Sequence, residues 1–137
     1  MYLIDTNVIS ELRRIKPHGA VVAWLKSVND AELFMSAVTI GEIQAGIEMT
    51  RAQDDAKANE LEQWLNAVAD SYNILPMDSA TFRLWAKWMH GTSNTLYEDA
   101  MIAATAKMHK LTVVTRNVGD FSNFDVEVFN PFEYQER

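Results

Sequence analysis

The chain of 137 residues contains no cysteine, and this absence excludes several kinds of chemistry. Disulfide bonds, thiolate metal sites and thiol nucleophiles all require cysteine, so none of them contributes to this protein. No run approaches the length of about 18 apolar residues that a transmembrane helix needs. The first residues meet an acid at Asp5 and carry no basic leader, which favours a soluble, cytoplasmic protein.

Positive charge is also scarce. The chain has 12 Lys and Arg residues against 19 Asp and Glu residues, and its formal net charge is −7. A surface of this kind does not bind nucleic acid through bulk charge. A nucleic-acid substrate is still compatible with the sequence if metal ions neutralise part of the acidity.

The pattern of apolar segments predicts an α/β fold. Short strands are expected at 2–4, 33–36, 73–75, 111–115 and 126–129, with helices between them. This alternation indicates βαβ units with right-handed crossovers around a central, mainly parallel sheet of four to five strands. The chain shows no internal repeat or linker, so residues 1–137 are expected to form one domain.

Four acidic residues from distant segments are placed where they could converge. Ligands of open parallel sheets bind beyond the carboxyl ends of the strands, where Asp5 closes the first strand and Asp120 follows the fourth. Glu42 and Asp99 stand near the starts of two helices that can face the same edge. Close like charges repel one another, and a hard cation such as Mg²⁺ or Mn²⁺ would remove that cost.

Each acid taken alone also has a purely structural interpretation. Asp5 could cap a helix, and Glu42 could pair with Thr39 in a capping box. Asp99 could favour its helix start through the helix dipole, and Asp120 could be a turn residue. By themselves, the residues indicate an acidic pocket that could hold a metal.

Four segments, in chain order, resemble the PIN-domain ribonucleases of the VapC and FitB type. They are IDTNVISEL, SAVTIGEIQAGI, EDAMIAATA and VVTRNVGDF, and the resemblance extends from Met1 to about Pro131. It implies a PIN-like three-layer sandwich. It also implies a metal-dependent endoribonuclease that hydrolyses RNA phosphodiester bonds as the toxin of a type II toxin–antitoxin pair.

The resemblance further implies roles for individual residues. The family's four acidic catalytic residues correspond to Asp5, Glu42, Asp99 and Asp120. Of these, Asp5, Asp99 and Asp120 would hold Mg²⁺ or Mn²⁺, while Glu42 would bind metal or position the attacking water. Two residues would hold the acids in position without binding the metal themselves, namely Thr6 and Asn117.

The implied partners are an RNA substrate, a cognate antitoxin protein, and operator DNA reached only through the antitoxin. A basic antitoxin segment would suit an acidic groove, and a homodimer within a hetero-oligomer is expected. The basic residues expected near the active edge would contact RNA phosphates or remain solvated. They are Arg13, Arg14, Lys16 and Arg116.

Two other functions remain open from the sequence. A phosphatase-like enzyme would use Asp5 as its nucleophile, but such enzymes usually carry a second aspartate two residues later, where this chain has Asn7. A non-catalytic protein would bind Mg²⁺ for signalling or serve as a subunit of a repressor complex. The signalling case needs a lysine over the pocket, and Lys110 is expected to lie away from it.

Overall fold

Strands and helices alternate along residues 1–136, which are the residues that the computed structural model describes. The strands are β1 (Tyr2–Ile4), β2 (Leu33–Ser36), β3 (Asn73–Leu75), β4 (Thr112–Val114) and β5 (Val128–Phe129). The helices are α1 (Thr6–Leu12), α2 (Gly19–Ser27), α3 (Ala37–Arg51), α4 (Asp55–Ser71), α5 (Ser79–Met89) and α6 (Tyr97–His109). Short 3₁₀ turns cover Asp30–Glu32, Asn94–Leu96, Val118–Phe121 and Pro131–Glu133.

The five strands form one sheet in the order β3-β2-β1-β4-β5, and every neighbouring pair is parallel. Leu3 on β1 is in register with Phe34 on one side and Val113 on the other. The predicted α/β architecture with a parallel sheet is therefore confirmed. Because β1 is central, the polar residues that follow β1 and β4 emerge side by side at the middle of the carboxyl edge.

Helices cover both faces of the sheet, which gives three layers. On one face, Leu3 and Val113 pack with the small residues of α6, and Trp85 and Trp88 of α5 close that layer. On the other face, the neighbouring strand residues pack against helices α1, α2, α3 and α4. Within residues 1–136, no helix is both long and apolar enough to cross a membrane.

The start of α3 differs from the predicted capping box at Thr39. The side chain of Ser36 caps this helix instead, with its hydroxyl accepting from the backbone N–H of Val38 at 3.1 Å. Since β2 runs directly into α3, the last strand residue supplies the cap. Thr39 is fully buried inside the first turn, so Glu42 is free of the capping role.

Candidate active site

Asp5 joins the central strand to the first helix at the carboxyl edge of the sheet. Its backbone N–H donates to the carbonyl of Val114 at 2.9 Å, which ties it to the end of β4. Its side chain caps α1, with Oδ1 accepting from the backbone N–H of Thr6 at 2.8 Å. The residue is only 4% exposed, so this carboxylate is fixed in place before any ligand arrives.

Two further residues, Thr115 and Asn7, hold the second oxygen of Asp5. The hydroxyl of Thr115 donates to Oδ2 at 2.8 Å, and the Asn7 amide donates to the same oxygen at 3.1 Å. The Asn7 amide also lies 3.1 Å from the Thr115 hydroxyl, which closes the arrangement. A carboxylate offers about four lone-pair sites, so three accepted hydrogen bonds leave one of them, on Oδ1, for a ligand.

Glu42 is the second anchored acid, and Thr6 connects it to the Asp5 region. The Thr6 hydroxyl lies 3.1 Å from Glu42 Oε1 and 3.2 Å from the hydroxyl of Thr39. Burial, followed by a hydrogen bond and the negative charge of Glu98, raises the pKa of Glu42 to about 8. In the metal-free protein, Glu42 therefore holds a proton at neutral pH.

Asp99 lies in the first turn of α6, and Asp120 lies in the exposed 3₁₀ turn after β4. Partial burial raises the pKa of Asp99 to about 6, with the charges of Asp5 and Asp120 as further causes. Burial also raises the pKa of Asp5 above its ordinary value, in spite of the hydrogen bond from Thr115. The structure thus brings Asp5, Asp99 and Asp120 close enough for their charges to act on one another.

This donor set fits a hard divalent cation in its chemistry. It consists of carboxylates, and burial and mutual repulsion raise the pKa values of two of them, Asp5 and Asp99. A bound cation would relieve that repulsion. Within residues 1–136, no three His, Asp or Glu side chains are arranged as they stand to hold one ion together. The residues that could supply ligands if their side chains moved are Asp5, Asp99 and Asp120.

The predicted supporting residues take part through different groups. Thr6 contacts both anchored acids, with its N–H on Asp5 and its hydroxyl on Glu42. Asn117 reaches the site through its backbone N–H, which donates to the Thr115 hydroxyl at 3.0 Å. Asn7 makes more hydrogen bonds in the site than Asn117, since its side-chain oxygen also accepts a hydrogen bond from the backbone N–H of Arg116 at 3.1 Å.

Three contributors were missed by the sequence analysis, namely Asn7, Thr115 and Glu98. Thr115 follows β4, the neighbour of β1, and a polar residue at that point is a signal that the strand pattern contained. Glu98 precedes Asp99 directly, but nothing in the sequence indicates that it would face Glu42. That contact depends on how α6 packs against α3.

The acidic site is not identified by the size of its cavity. A cavity of about 520 Å³ lies at the opposite, amino edge of the sheet, beside Lys107, Lys110 and Asp125. There Lys107 is already paired with Asp125 at 2.7 Å. The smaller cavity of about 280 Å³ borders Glu98 and Asp99, and the pKa of Asp99 is raised. Perturbed acids in a cleft are the stronger indication of function.

Comparison with known proteins agrees with this geometry. A family model described as the PIN domain matches residues 2–127. The chain belongs to the PIN domain family. The predicted resemblance is thereby confirmed, and the three-layer parallel architecture is the PIN fold.

Curated and solved PIN proteins are similar over nearly the whole chain. Toxin FitB of Neisseria gonorrhoeae is 40% identical over 141 residues, covering 96% of this chain and 99% of that protein. The VapC ribonuclease Y4jK of Sinorhizobium fredii is 35% identical over 140 residues, covering 97% and 99%. The crystal structure of FitAcB from Neisseria gonorrhoeae matches with a TM-score of 0.85 at 38% identity, covering 97% of this chain and 99% of that one.

Proposed function

We propose that this protein is a metal-dependent endoribonuclease that acts as the toxin of a type II toxin–antitoxin pair. The observation that carries the proposal is the meeting of Asp5, Asp99 and Asp120 at the carboxyl edge of a PIN fold, beside the buried carboxyl of Glu42. The names of similar proteins support it, since one is a toxin and another a ribonuclease.

In this proposal Asp5, Asp99 and Asp120 hold Mg²⁺, with Mn²⁺ as the other suitable ion. When bound, the cation supplies activation of a water and stabilisation of the leaving oxygen of the RNA phosphodiester. Asp5 contributes its free Oδ1 lone pair, because its other sites accept hydrogen bonds from Thr6, Asn7 and Thr115.

Glu42 orients the attacking water in this proposal. Its Oε1 accepts a hydrogen bond from the Thr6 hydroxyl at 3.1 Å, and Thr6 also donates its backbone N–H to Asp5, which links the two carboxyl groups. A carboxyl whose pKa lies near neutrality can accept a proton from water and release it again at cellular pH. The expected products are a 5′-phosphate and a 3′-hydroxyl, with no covalent enzyme intermediate.

The proposed partners follow the same reasoning. An acidic groove on a chain of net charge −7 suits a basic segment of an antitoxin, which would block access of RNA. The solved structure of FitAB bound to a DNA fragment is 36% identical to this chain with a TM-score of 0.85. We infer by analogy that a homodimer of this protein joins its antitoxin, and that the antitoxin contacts operator DNA.

Mapping of new 5′-phosphate ends tests the nuclease. Total cellular RNA is treated with purified, antitoxin-free protein in Mg²⁺, in Mn²⁺ and in EDTA. Wild type should create new ends only with metal, and Asp99→Asn should create none. Asp70→Asn is the matched control, because Asp70 is exposed on α4, near the end that precedes β3.

The outcomes separate the proposal from its rivals. Full activity of a folded Asp99→Asn variant would contradict the assignment of the acids. An absence of new ends with a folded, metal-binding wild type would favour a binding role instead. A trappable phosphate on Asp5 would favour the phosphatase-like alternative.

A further inference from the structure

Arg116 is a cation at the acidic edge that has no part in the site described so far. It follows Thr115 directly, and its backbone N–H donates to the Asn7 side chain at 3.1 Å. Its backbone is therefore fixed by the same network that fixes Asp5, while its side chain is exposed. None of the ion pairs within residues 1–136 includes Arg116.

The guanidinium of Arg116 is held by an aromatic ring instead of a carboxylate. Its central carbon lies 4.6 Å from the centre of the Phe132 ring. The ring is itself restrained, because the backbone N–H of Phe132 donates to Asn130 at 3.0 Å and the His18 ring packs edge-on at 5.2 Å. Stacking on a ring face orients a guanidinium and leaves the hydrogen-bond donors at its rim available.

We propose that Arg116, held by Phe132, is the side chain that binds a phosphate of single-stranded RNA next to the scissile one. This inference rests on the proposed nuclease function. A guanidinium offers donors in a planar fork that matches phosphate oxygens. An acidic site on an acidic protein repels RNA, so a cation beside the acids has a greater effect on binding here than on a basic surface.

The position of Arg116 suits a flanking phosphate. Phe132 lies just beyond the end of β5, and Asp5 lies beyond β1, with β4 between these strands. Arg116 follows β4, the strand next to β1, and its guanidinium extends to the ring of Phe132 on the far side of β4 from Asp5. That offset leaves the acids free for the scissile phosphate and its metal.

Binding of a fluorescent 12-nucleotide single-stranded RNA, followed by anisotropy in EDTA, tests this role without cleavage. Arg116→Gln should weaken binding about 10-fold at low salt. The slope of log affinity against log salt should fall by about 0.7, the value for one lost phosphate contact on a single strand. Arg83→Gln is the matched control. Arg83 is also an exposed arginine outside the ion pairs of residues 1–136. It lies on α5, whose first residues are near His109 at the end of α6, away from Asp99 at the start of that helix.

Steady-state kinetics with metal add a second readout. Arg116→Gln should raise KM about 10-fold and change kcat by less than about two-fold, because a flanking contact is made equally in the ground state and the transition state. Phe132→Leu should lose part of the RNA affinity, whereas Phe132→Tyr, which keeps an aromatic ring, should bind RNA like wild type. The thermal midpoint of each variant verifies that it is folded. Arg116→Lys should keep the salt slope and lose part of the affinity.

Equal RNA binding by wild type and Arg116→Gln, including no binding by either, would overturn the inference. An equal loss in Arg83→Gln would do the same, because it would show a general charge effect. The failures remain distinguishable. Metal-dependent cleavage with an unaffected Arg116→Gln variant removes this inference alone. Arg116-dependent binding without cleavage removes the nuclease and leaves Arg116 only as a contact to an RNA phosphate.

Discussion

The contact between Glu42 and Glu98 makes the stability of the metal-free protein depend on pH. Folding raises the pKa of Glu42 from an ordinary 4.5 to about 8, through burial first and Glu98 second. The folded protein therefore holds a proton that the unfolded chain releases above pH 4.5. This contribution to stability is complete below pH 4.5 and is lost as the pH rises through about 8.

The size of the effect follows from the same values. A difference between 4.5 and about 8 corresponds to roughly 5 kcal/mol for a fully desolvated group, at about 1.4 kcal/mol per pH unit. Glu42 is only half-buried, so solvent screening reduces this to about 2 kcal/mol. Because burial is the largest cause, we assign about 1 kcal/mol to Glu98. Glu98→Gln replaces the repelling charge with an amide that can donate to ionised Glu42.

Urea denaturation in EDTA at pH 5 and pH 9 measures this directly. Wild type should lose free energy of unfolding between the two pH values, and Glu98→Gln should lose about 1 kcal/mol less. Asp5, whose pKa is also raised, contributes the same trend to both proteins. Asp99 contributes in the same direction, and slightly less in Glu98→Gln, because the charge of Glu98 is the last of the causes that raise its pKa. Glu32→Gln, an exposed site on a distant 3₁₀ turn, is the control. An identical pH dependence in wild type and Glu98→Gln would refute the reasoning.

Three further outcomes are expected. Thr115→Val removes a buried hydroxyl that donates to Asp5, so the free energy of unfolding measured by urea denaturation should fall by about 1–2 kcal/mol. A variant as stable as wild type would show that the contact is dispensable. Mg²⁺ should raise the thermal midpoint more at pH 8 than at pH 5, because it competes with protons on Glu42 and Asp99. If the Asp99→Asn variant shows the same rise in midpoint, the result would count against this metal site. Lys110→Gly should raise the free energy of unfolding by about 1 kcal/mol, since residue 110 has a left-handed φ of 57°; an unchanged denaturation midpoint would contradict that strain.

Much of the architecture could be predicted from the chain because its signals are local. Short apolar segments ending at Asp5 and at Thr115, with apolar spacing of 3.6 residues between them, identify strands and helices in order. Parallel pairing then places all carboxyl ends at one edge, so the neighbourhood of Asp5 and Asp120 followed from topology alone. The prediction failed where two signals were similar, as at Ser36 and Thr39. Either hydroxyl residue can cap a helix, and only the path of the chain out of β2 decides between them.

The amino-acid sequence by itself determined the α/β class, the parallel sheet and the resemblance to the PIN family from which the four acids were predicted. Beyond the neighbours Thr6 and Asn7 on Asp5, the tertiary structure decided which side chains surround those acids, because the other contacts join residues more than 30 positions apart. Thr6 meets Glu42 across 36 positions, and Thr115 meets Asp5 across 110. The raised pKa of Glu42 and the stacking of Arg116 on Phe132 also result from the tertiary structure. They depend on burial and on distances between elements, which no local pattern of residues encodes.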